Sequence, residues 1–444
     1  MNKEFHKKQN FFSFSDIDSE RKDRIMKFTS TEATPAPHVP PGVLRLTGAA
    51  KEDIPMYRIQ TMNKISPVGL NRFPSELYEV GDAVQDPQGI LVRSAKLLDL
   101  EFNPGLLAIA RAGVGVNNIP LDRCAAAGIP VFSTPGANAN AVKELVICAM
   151  LMGSRDIPGA IRWVRKQAAS GVDVSTVVEK GKSAFIGPEL YKKTLGIIGL
   201  GAIGSIVANT AISLGMDVYG YDPFLSVDTA LRLDRHVHVV KDINDLYKRS
   251  DYITMHIHYT EKTAHMIDAD AIAAMKRGVR VINLARGEIV DDEAMLTALD
   301  TGMVAAYITD FPNNRLLTAP HVIAMPHLGA STPESEQNCA AMAVDTLRDY
   351  LESGNIRSSV NLPEMTMDRS GVQRLCVLHK NVPGMLANIT SLFGRDGVNV
   401  ENLSNKSRGD YAYTMVDLGS KVGNNVIEDV RRTANVIRVR SLEW

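Results

Sequence analysis

LGIIGLGAIGSIVANTAISLGMDVYGYD, Leu195–Asp222, reads as strand, glycine turn, helix, second strand and terminal acid. Leu195–Ile198 is a short apolar run of the buried-strand kind. Gly199, Gly201 and Gly204 follow at G-x-G-x-x-G spacing. The first permits a tight turn, the second a close backbone approach to a pyrophosphate, and the third close packing of helix on strand. Ser205–Leu214 has a helical pattern, so its N-terminal amides would point at the phosphates. Asp217–Tyr221 is the next strand and Asp222 ends it. A G-x-G-x-x-G run alone is a weak signal; here the flanking strand, helix and terminal acid all fall where a dinucleotide site requires them. The motif begins near the middle of the chain, so the long segment before it needs a role of its own.

The 444 residues suffice for roughly two to four domains, and 45% hydrophobic with 22% charged residues is ordinary for a globular protein. A net charge of −1 and a pI near 6.8 give no electrostatic case for a nucleic-acid or membrane partner. No apolar run approaches the ~20 residues needed to span a bilayer. Cys124, Cys148, Cys339 and Cys376 are scattered without a C-x-x-C, as expected of reduced structural cysteines in a cytoplasmic protein. Residues 1–54 are polar, mixed in charge and then Pro/Thr/Ala-rich, and are expected to form a disordered extension. They lack the apolar core of a secretory signal. Their acids argue against a mitochondrial presequence, though Lys3, Lys7 and Lys8 keep that alternative open. Met56 could also be a start site.

From Met56 to about Arg155, strands at Tyr57–Thr61, Gly89–Val92, Ala108–Arg111 and Pro130–Phe132 alternate with helices and turn signals. The dinucleotide unit then runs to about Met325, and a helix from about Pro333 to Glu352 closes the core. Residues 361–370 read as a polar linker. Residues 371–444 read as βαββαβ. Within the dinucleotide unit, Val279–Leu284 runs into Arg286, and VIAMPHLGAST carries His327 just past a strand. In open α/β sheets ligands lie beyond the carboxyl ends of the strands. Arg286 and His327 would therefore project into one crevice, a cation for a substrate anion beside a proton carrier. Asp222 should accept from ribose hydroxyls. A 2′-phosphate would be repelled there and Pro223–Phe224 offers no arginine, so NAD is favoured over NADP.

ILVRSAK, ARAGVGVNNIPLD, TPGANANAVKEL, the glycine fingerprint, NLARGEIVD and PHLGAST occur in an order that resembles the D-isomer-specific 2-hydroxyacid dehydrogenases. The resemblance runs from about Met56 to the C-terminus. It implies a flavodoxin-like substrate domain, 55–155 and 326–360, interrupted by a Rossmann-like NAD domain, 156–325. Residues 371–444 resemble the ACT regulatory fold. The implied activity is oxidation of a D-2-hydroxyacid, with 3-phospho-D-glycerate favoured by the match at Arg93 and Ser94. Another D-2-hydroxyacid such as 2-hydroxyglutarate, or a non-catalytic NAD and amino-acid sensor, remains as an alternative. His327 matches the proton carrier, suited by an unperturbed pKa of ~6.5, and Arg286 the carboxylate-pairing arginine. Asn117 is implied in the substrate cleft. Ala202 and Ile203 match the phosphate turn, Leu284, Ala285 and Asp310 match positions near the nicotinamide, and Gly329 and Ala330, which follow His327, are implied to bind the cofactor.

Two positions depart from the family pattern. The family carries a Glu about five residues after the Asp of D-V-F-P, and that Glu pairs with the catalytic histidine. ITDFPNNRLLTAPH places Asn314 or Arg315 there, and no acid lies between Asp310 and His327. Asn314 could orient the imidazole but carries no charge, so a lowered working pKa is expected. His258 stands where the family has Pro. The resulting His256-x-His258 lacks a third ligand, and no metal is expected. In the C-terminal unit, His379, Asn381 and Asn399 match the positions that bind L-serine across paired ACT domains. Serine inhibition and a homo-oligomer, dimer or tetramer, follow from the resemblance.

Overall fold

The structure is a computed structural model, and it describes residues 56–444. The extension expected at 1–54 lies outside the described residues. Among the described residues, sixteen strands form three sheets. The first contains β1 (Tyr57–Met62), β2 (Tyr78–Gly81), β3 (Gly89–Val92), β4 (Ala108–Arg111) and β5 (Val131–Phe132), all parallel, in the order β2-β1-β3-β4-β5. This is the flavodoxin-like order. Its central strands β3 and β4 are almost wholly buried, as their unbroken Gly89–Val92 and Ala108–Ala110 runs require of a sheet covered on both faces.

The second sheet holds β6 (Thr194–Ile198), β7 (Asp217–Tyr221), β8 (Val237–Val240), β9 (Tyr252–Met255), β10 (Val279–Asn283), β11 (Val304–Thr309) and β12 (Val322–Ala324). All its pairings are parallel, in the order β12-β11-β10-β9-β6-β7-β8. The strand order reverses between β6 and β9, the switch point at which a doubly wound sheet opens its ligand crevice. The long helix Ala139–Arg155 leads from the first sheet into the second, where its Val142, Val146, Ala149 and Met150 join the core beside β6.

The chain then returns. The helix Pro333–Ser353 packs Ala340, Ala343, Val344 and Leu347 against Ile59, Leu91 and Ala110 of the first sheet. Ser359 bridges Phe132, and Val360 N donates to Val131 O at 2.9 Å. The cofactor sheet is thus an excursion between two parts of one core.

The third sheet is antiparallel, β14 (Val400–Arg408), β15 (Tyr411–Leu418), β13 (Gln373–Lys380) and β16 (Val436–Glu443) in that order, with helices Met385–Arg395 and Asn424–Arg432. Those helices cover one face through Ile389, Phe393, Ile427 and Val430. The other face, with Cys376, Leu378, Tyr413, Met415 and Leu442, belongs to the same core as Ile59 and Phe132.

Residues 361–370 are not the free polar linker that their composition suggests. Leu362, Met365 and Met367 are buried, Ile356 bridges Met365, and Met367 N donates to Asn355 Oδ1 at 3.1 Å. Three apolar side chains spaced among polar ones are enough to pin the segment into the shared core. Arginines complete the seam. Arg440 donates to Tyr350 O and Leu351 O at 3.0 and 2.9 Å, and Arg374 to Ser353 O at 2.9 Å. These neutralise the carbonyl end of the Pro333–Ser353 helix, where positive charge is favourable.

Candidate active site

Each glycine of the fingerprint has its own steric reason. Gly199 sits at φ +89°, and a Cβ there would lie 2.6 Å from His256 O. A Cβ on Gly204 would lie 1.9 Å from Gly199 O, so helix and strand could not pack. At Gly201 a Cβ would meet nothing within 4 Å, leaving the backbone open on the side a ligand approaches. The helix Ala202–Ser213 starts there with no side-chain cap, so its first amides are free to face phosphate. Ala202 and Ile203 form that first turn, and Gly136 of the opposing TPGANAN loop lies against Ala202, 3.2 Å from it as an added Cβ. Asp222 ends β7. Its Oδ2 accepts from Leu200 N at 2.9 Å and its Oδ1 from Phe224 N at 2.8 Å, which fixes the carboxylate beside the turn. These residues fit NAD.

At the other end of the crevice, β10 stops at Asn283, fully buried, whose Nδ2 donates to Arg286 O at 2.8 Å and whose Oδ1 accepts from Ala285 N at 3.2 Å. The buried amide shapes the Leu284–Arg286 turn and sends the Arg286 side chain outward. Asp310, just past β11, is 1% exposed. Its Oδ2 accepts from Gly329 N at 3.3 Å, while Oδ1 has no partner among the described residues. An unpartnered buried acceptor suits a carboxamide N–H of a bound nicotinamide. Ala330 follows Gly329, half-buried on the same loop. His327 is exposed on the loop after β12, its ring 4.6 Å from that of Phe311.

Burial pushes the Asp310 carboxyl above the usual carboxylate range, and the neighbouring His327 opposes that shift. The Asn313–Thr318 segment turns away: Asn313 donates to Asp292 at 2.6 Å, Arg315 pairs with Glu293, and Asn314 is exposed with no bond to His327. A raised folded pKa means that the ionised carboxylate costs stability above its unfolded pKa, a cost relieved as pH falls. Asp310→Asn is accordingly expected to raise the thermal midpoint near pH 8 by about 1 °C or more while lowering turnover. A variant that melts below the parent contradicts this sign.

The residues expected on the substrate side come from the first sheet. Arg93 and Ser94 follow β3. Arg93 Nη2 pairs with Glu336 Oε1 at 2.5 Å, and Ser94 N donates to Asn63 Oδ1 at 3.1 Å. Arg111 ends β4 and donates through Nε to Arg93 O at 3.0 Å. A Cβ placed on Gly115 would lie 3.4 Å from Arg286 Nη2, 3.5 Å from Arg111 Nη1 and 3.9 Å from Asn117 Oδ1. Arg286 from the cofactor sheet and Arg111 and Asn117 from the first sheet thus converge over one glycine. Burial, with Arg286 and Arg93 nearby, holds Arg111 below its usual value. Of the three guanidinium groups, Arg93 alone forms a salt bridge among the described residues, to Glu336. Such a group suits a substrate carrying two anionic ends. Arg111 was missed from sequence, although its place at a strand end, like that of Arg93, was a readable signal. Asn283 was missed because its role lies in the turn it shapes.

The C-terminal candidates are not assembled within one chain. His379 is 2% exposed, with Nδ1 on Lys380 O at 2.8 Å and Nε2 on Thr414 Oγ1 at 2.9 Å. Asn381 lies at the same end of the sheet and donates to Gly409 O. Asn399 lies at the other end, where its carbonyl accepts from Gly419 N and its amide donates to Glu401. The described residues contain no cluster of metal-binding side chains, and His256, held neutral by burial at about 4, bonds Thr254 at 3.2 Å. No helix among them is long and apolar enough to cross a membrane.

Residues 147–329 match the family described as "D-isomer specific 2-hydroxyacid dehydrogenase, NAD binding domain". The chain is 36% identical over 332 residues to D-3-phosphoglycerate dehydrogenase of Synechocystis, covering 71% of this chain and 56% of that one. It is 31% identical over 379 residues to D-3-phosphoglycerate dehydrogenase of Haemophilus influenzae, covering 82% of this chain and 88% of that one. Of several curated relatives, then, the match spans little more than half the length. Among solved structures, the NAD+-bound 3-phosphoglycerate dehydrogenase of Entamoeba histolytica superposes with a TM-score of 0.54 at 26% identity, covering 69% of this chain and 99% of that one. The Rossmann-type sheet, the crevice at its switch point and these matches agree, and the chain belongs to the D-isomer-specific 2-hydroxyacid dehydrogenases.

Proposed function

We propose that the chain oxidises 3-phospho-D-glycerate to 3-phosphohydroxypyruvate, the entry step to L-serine. The observation that carries this reading is the convergence of Arg286, Arg111 and Asn117 over Gly115, with Arg93 bonded to Arg111 through its carbonyl. Arg286 pairs with the substrate carboxylate and polarises the C2 oxygen; Arg93 and Arg111 take the phosphate. His327 removes the C2 hydroxyl proton onto a ring nitrogen as the C2–H bond breaks, with general-base catalysis worth typically 10²–10⁴-fold. NAD, held by the Gly199–Gly204 turn, Asp222 and Asp310, supplies the hydride acceptor. Leu284 and Ala285, both buried at the end of β10, wall the nicotinamide side. In this reading residues 55–155 and 326–360 form the substrate domain and 156–325 the cofactor domain.

Glu336, which offsets the charge of Arg93, favours a second reading: a less anionic D-2-hydroxyacid such as 2-hydroxyglutarate. NADH formation with a panel of D-2-hydroxyacids separates the two. On the first reading phosphoglycerate has the highest kcat/KM, and Arg93→Ala raises its KM at least about tenfold but that of a lactate-type acid little. Equal effects on both substrates remove the phosphate role.

We further propose a cytoplasmic homo-oligomer inhibited by L-serine. The helix Ile157–Ala169 buries no residue and leaves Ile161 and Val164 49% and 37% exposed, which supports a second copy against it. His379 and Asn381 at one sheet end and Asn399 at the other are available to one site only across two copies. A calorimetric titration with no heat at saturating L-serine, and unchanged kcat/KM, removes this part.

A further inference from the structure

We propose that Phe311 positions the His327 imidazole, doing by ring packing what a hydrogen-bonding carboxylate would otherwise do. The inference rests on the active-site reading above. Phe311 directly follows buried Asp310, and its N–H donates to Thr309 Oγ1 at 3.0 Å, so its backbone is fixed at the end of β11. Its half-buried ring lies 4.6 Å from the His327 ring, centroid to centroid, with the planes tilted by 48°. The Arg286 guanidinium carbon lies 5.8 Å from the same ring. One aromatic side chain therefore lies beside both groups to which the proposed reaction is assigned.

Neither ring nitrogen of His327 has a hydrogen-bond partner among the described residues. The segment that could have supplied one is committed elsewhere, Asn313 to Asp292 and Arg315 to Glu293 on the helix Asp292–Asp300. With no bond to hold it, the imidazole takes its orientation from what it packs against, and the ring in reach is Phe311. Tilted aromatic pairs at 4.5–7 Å are favourable contacts. A π-face also stabilises a cation above it. Phe311 thus favours the imidazolium that forms when His327 accepts the proton. A small displacement of a catalytic group costs up to about 10²-fold in rate, which sets the scale of the effect.

The test compares Phe311→Leu and Phe311→Tyr. Two readouts are needed, one of them independent of turnover. The first is the NMR titration of His327 in the full chain, its signal identified by its loss in His327→Gln. The second is steady-state kinetics across pH. Phe311→Leu is expected to shift the His327 resonance through loss of the ring current. It should also move the acidic limb of kcat/KM to lower pH and cut kcat about 10–100-fold, with KM for NAD within about threefold. Phe311→Tyr, which keeps the ring, should restore all of these. A leucine variant with parental titration and kcat overturns the proposal. So does one that loses only NAD affinity, which would make Phe311 part of the cofactor wall. If the parent turns over no D-2-hydroxyacid but its His327 titration still depends on Phe311, the proposed function fails and the positioning role is upheld.

Discussion

Replacing His327 by alanine is expected to lower kcat about 10²–10⁴-fold, with little change in the affinity for NAD. The expectation follows from placement. His327 stands on the exposed loop past β12, outside the glycine turn and outside the Asp222 end of the crevice, so its loss leaves the cofactor contacts intact. Its ring packs beside Phe311, whose ring also lies near Arg286, and the Arg286 guanidinium reaches the glycine on which Arg111 and Asn117 converge. Stopped-flow formation of NADH with matched NAD-binding titrations checks it. A variant with kcat within threefold of the parent would falsify His327 as the proton carrier. The pH profile adds a sign. A general base must be unprotonated, so kcat/KM should fall as pH drops through the His327 pKa.

The second large effect is structural. Asp417→Ala is expected to destabilise the chain by about 3–5 kcal/mol. Asp417 and Arg374 form a bidentate pair, Nε to Oδ1 at 2.5 Å and Nη2 to Oδ2 at 2.7 Å, with both side chains fully buried. The other guanidinium donors reach Ser353 O, Met367 O and Asp368 O, and Ser370 bonds Asp417 through its amide and hydroxyl at 2.9 and 3.0 Å. Removing the carboxylate strands a buried cation among carbonyls that only partly replace it. The double replacement Arg374→Met/Asp417→Leu should recover much of the loss, because the pair's attraction roughly offsets its own desolvation. Urea unfolding measures both. A single variant within about 1 kcal/mol of the parent would show that the seam between the third sheet and the first contributes little.

How legible all this was in sequence varied with the range of the interactions. Gly199 and Gly204 were readable because each answers a local steric demand, a positive-φ turn and a close helix–strand approach, and Gly201 stands open between them. The order of β-α units led to both parallel sheets, since right-handed crossovers leave few alternatives. Arg286 and His327 were placed in one crevice because strand ends are local features. What was hidden depends on contacts distant in sequence. Arg374 sits in an apolar strand, and only the fold reveals that Asp417, 43 residues on, receives it. Leu362, Met365 and Met367 looked like incidental apolar residues in a polar stretch until the third sheet closed over them. The commitment of Asn313 to Asp292 and of Arg315 to Glu293 was equally hidden, because both partners lie more than 20 residues away in sequence. Gly115 exposes Arg111 only once two sheets meet over it.

The most direct measurement follows the C2 hydrogen. With 3-phospho-D-glycerate deuterated at C2 and saturating NAD, the account expects deuterium on the nicotinamide, a slower single-turnover rate than with the protiated substrate, and loss of the transfer in both His327→Ala and Arg286→Ala. A folded parent protein that forms no NADH from phosphoglycerate or any other D-2-hydroxyacid would contradict it.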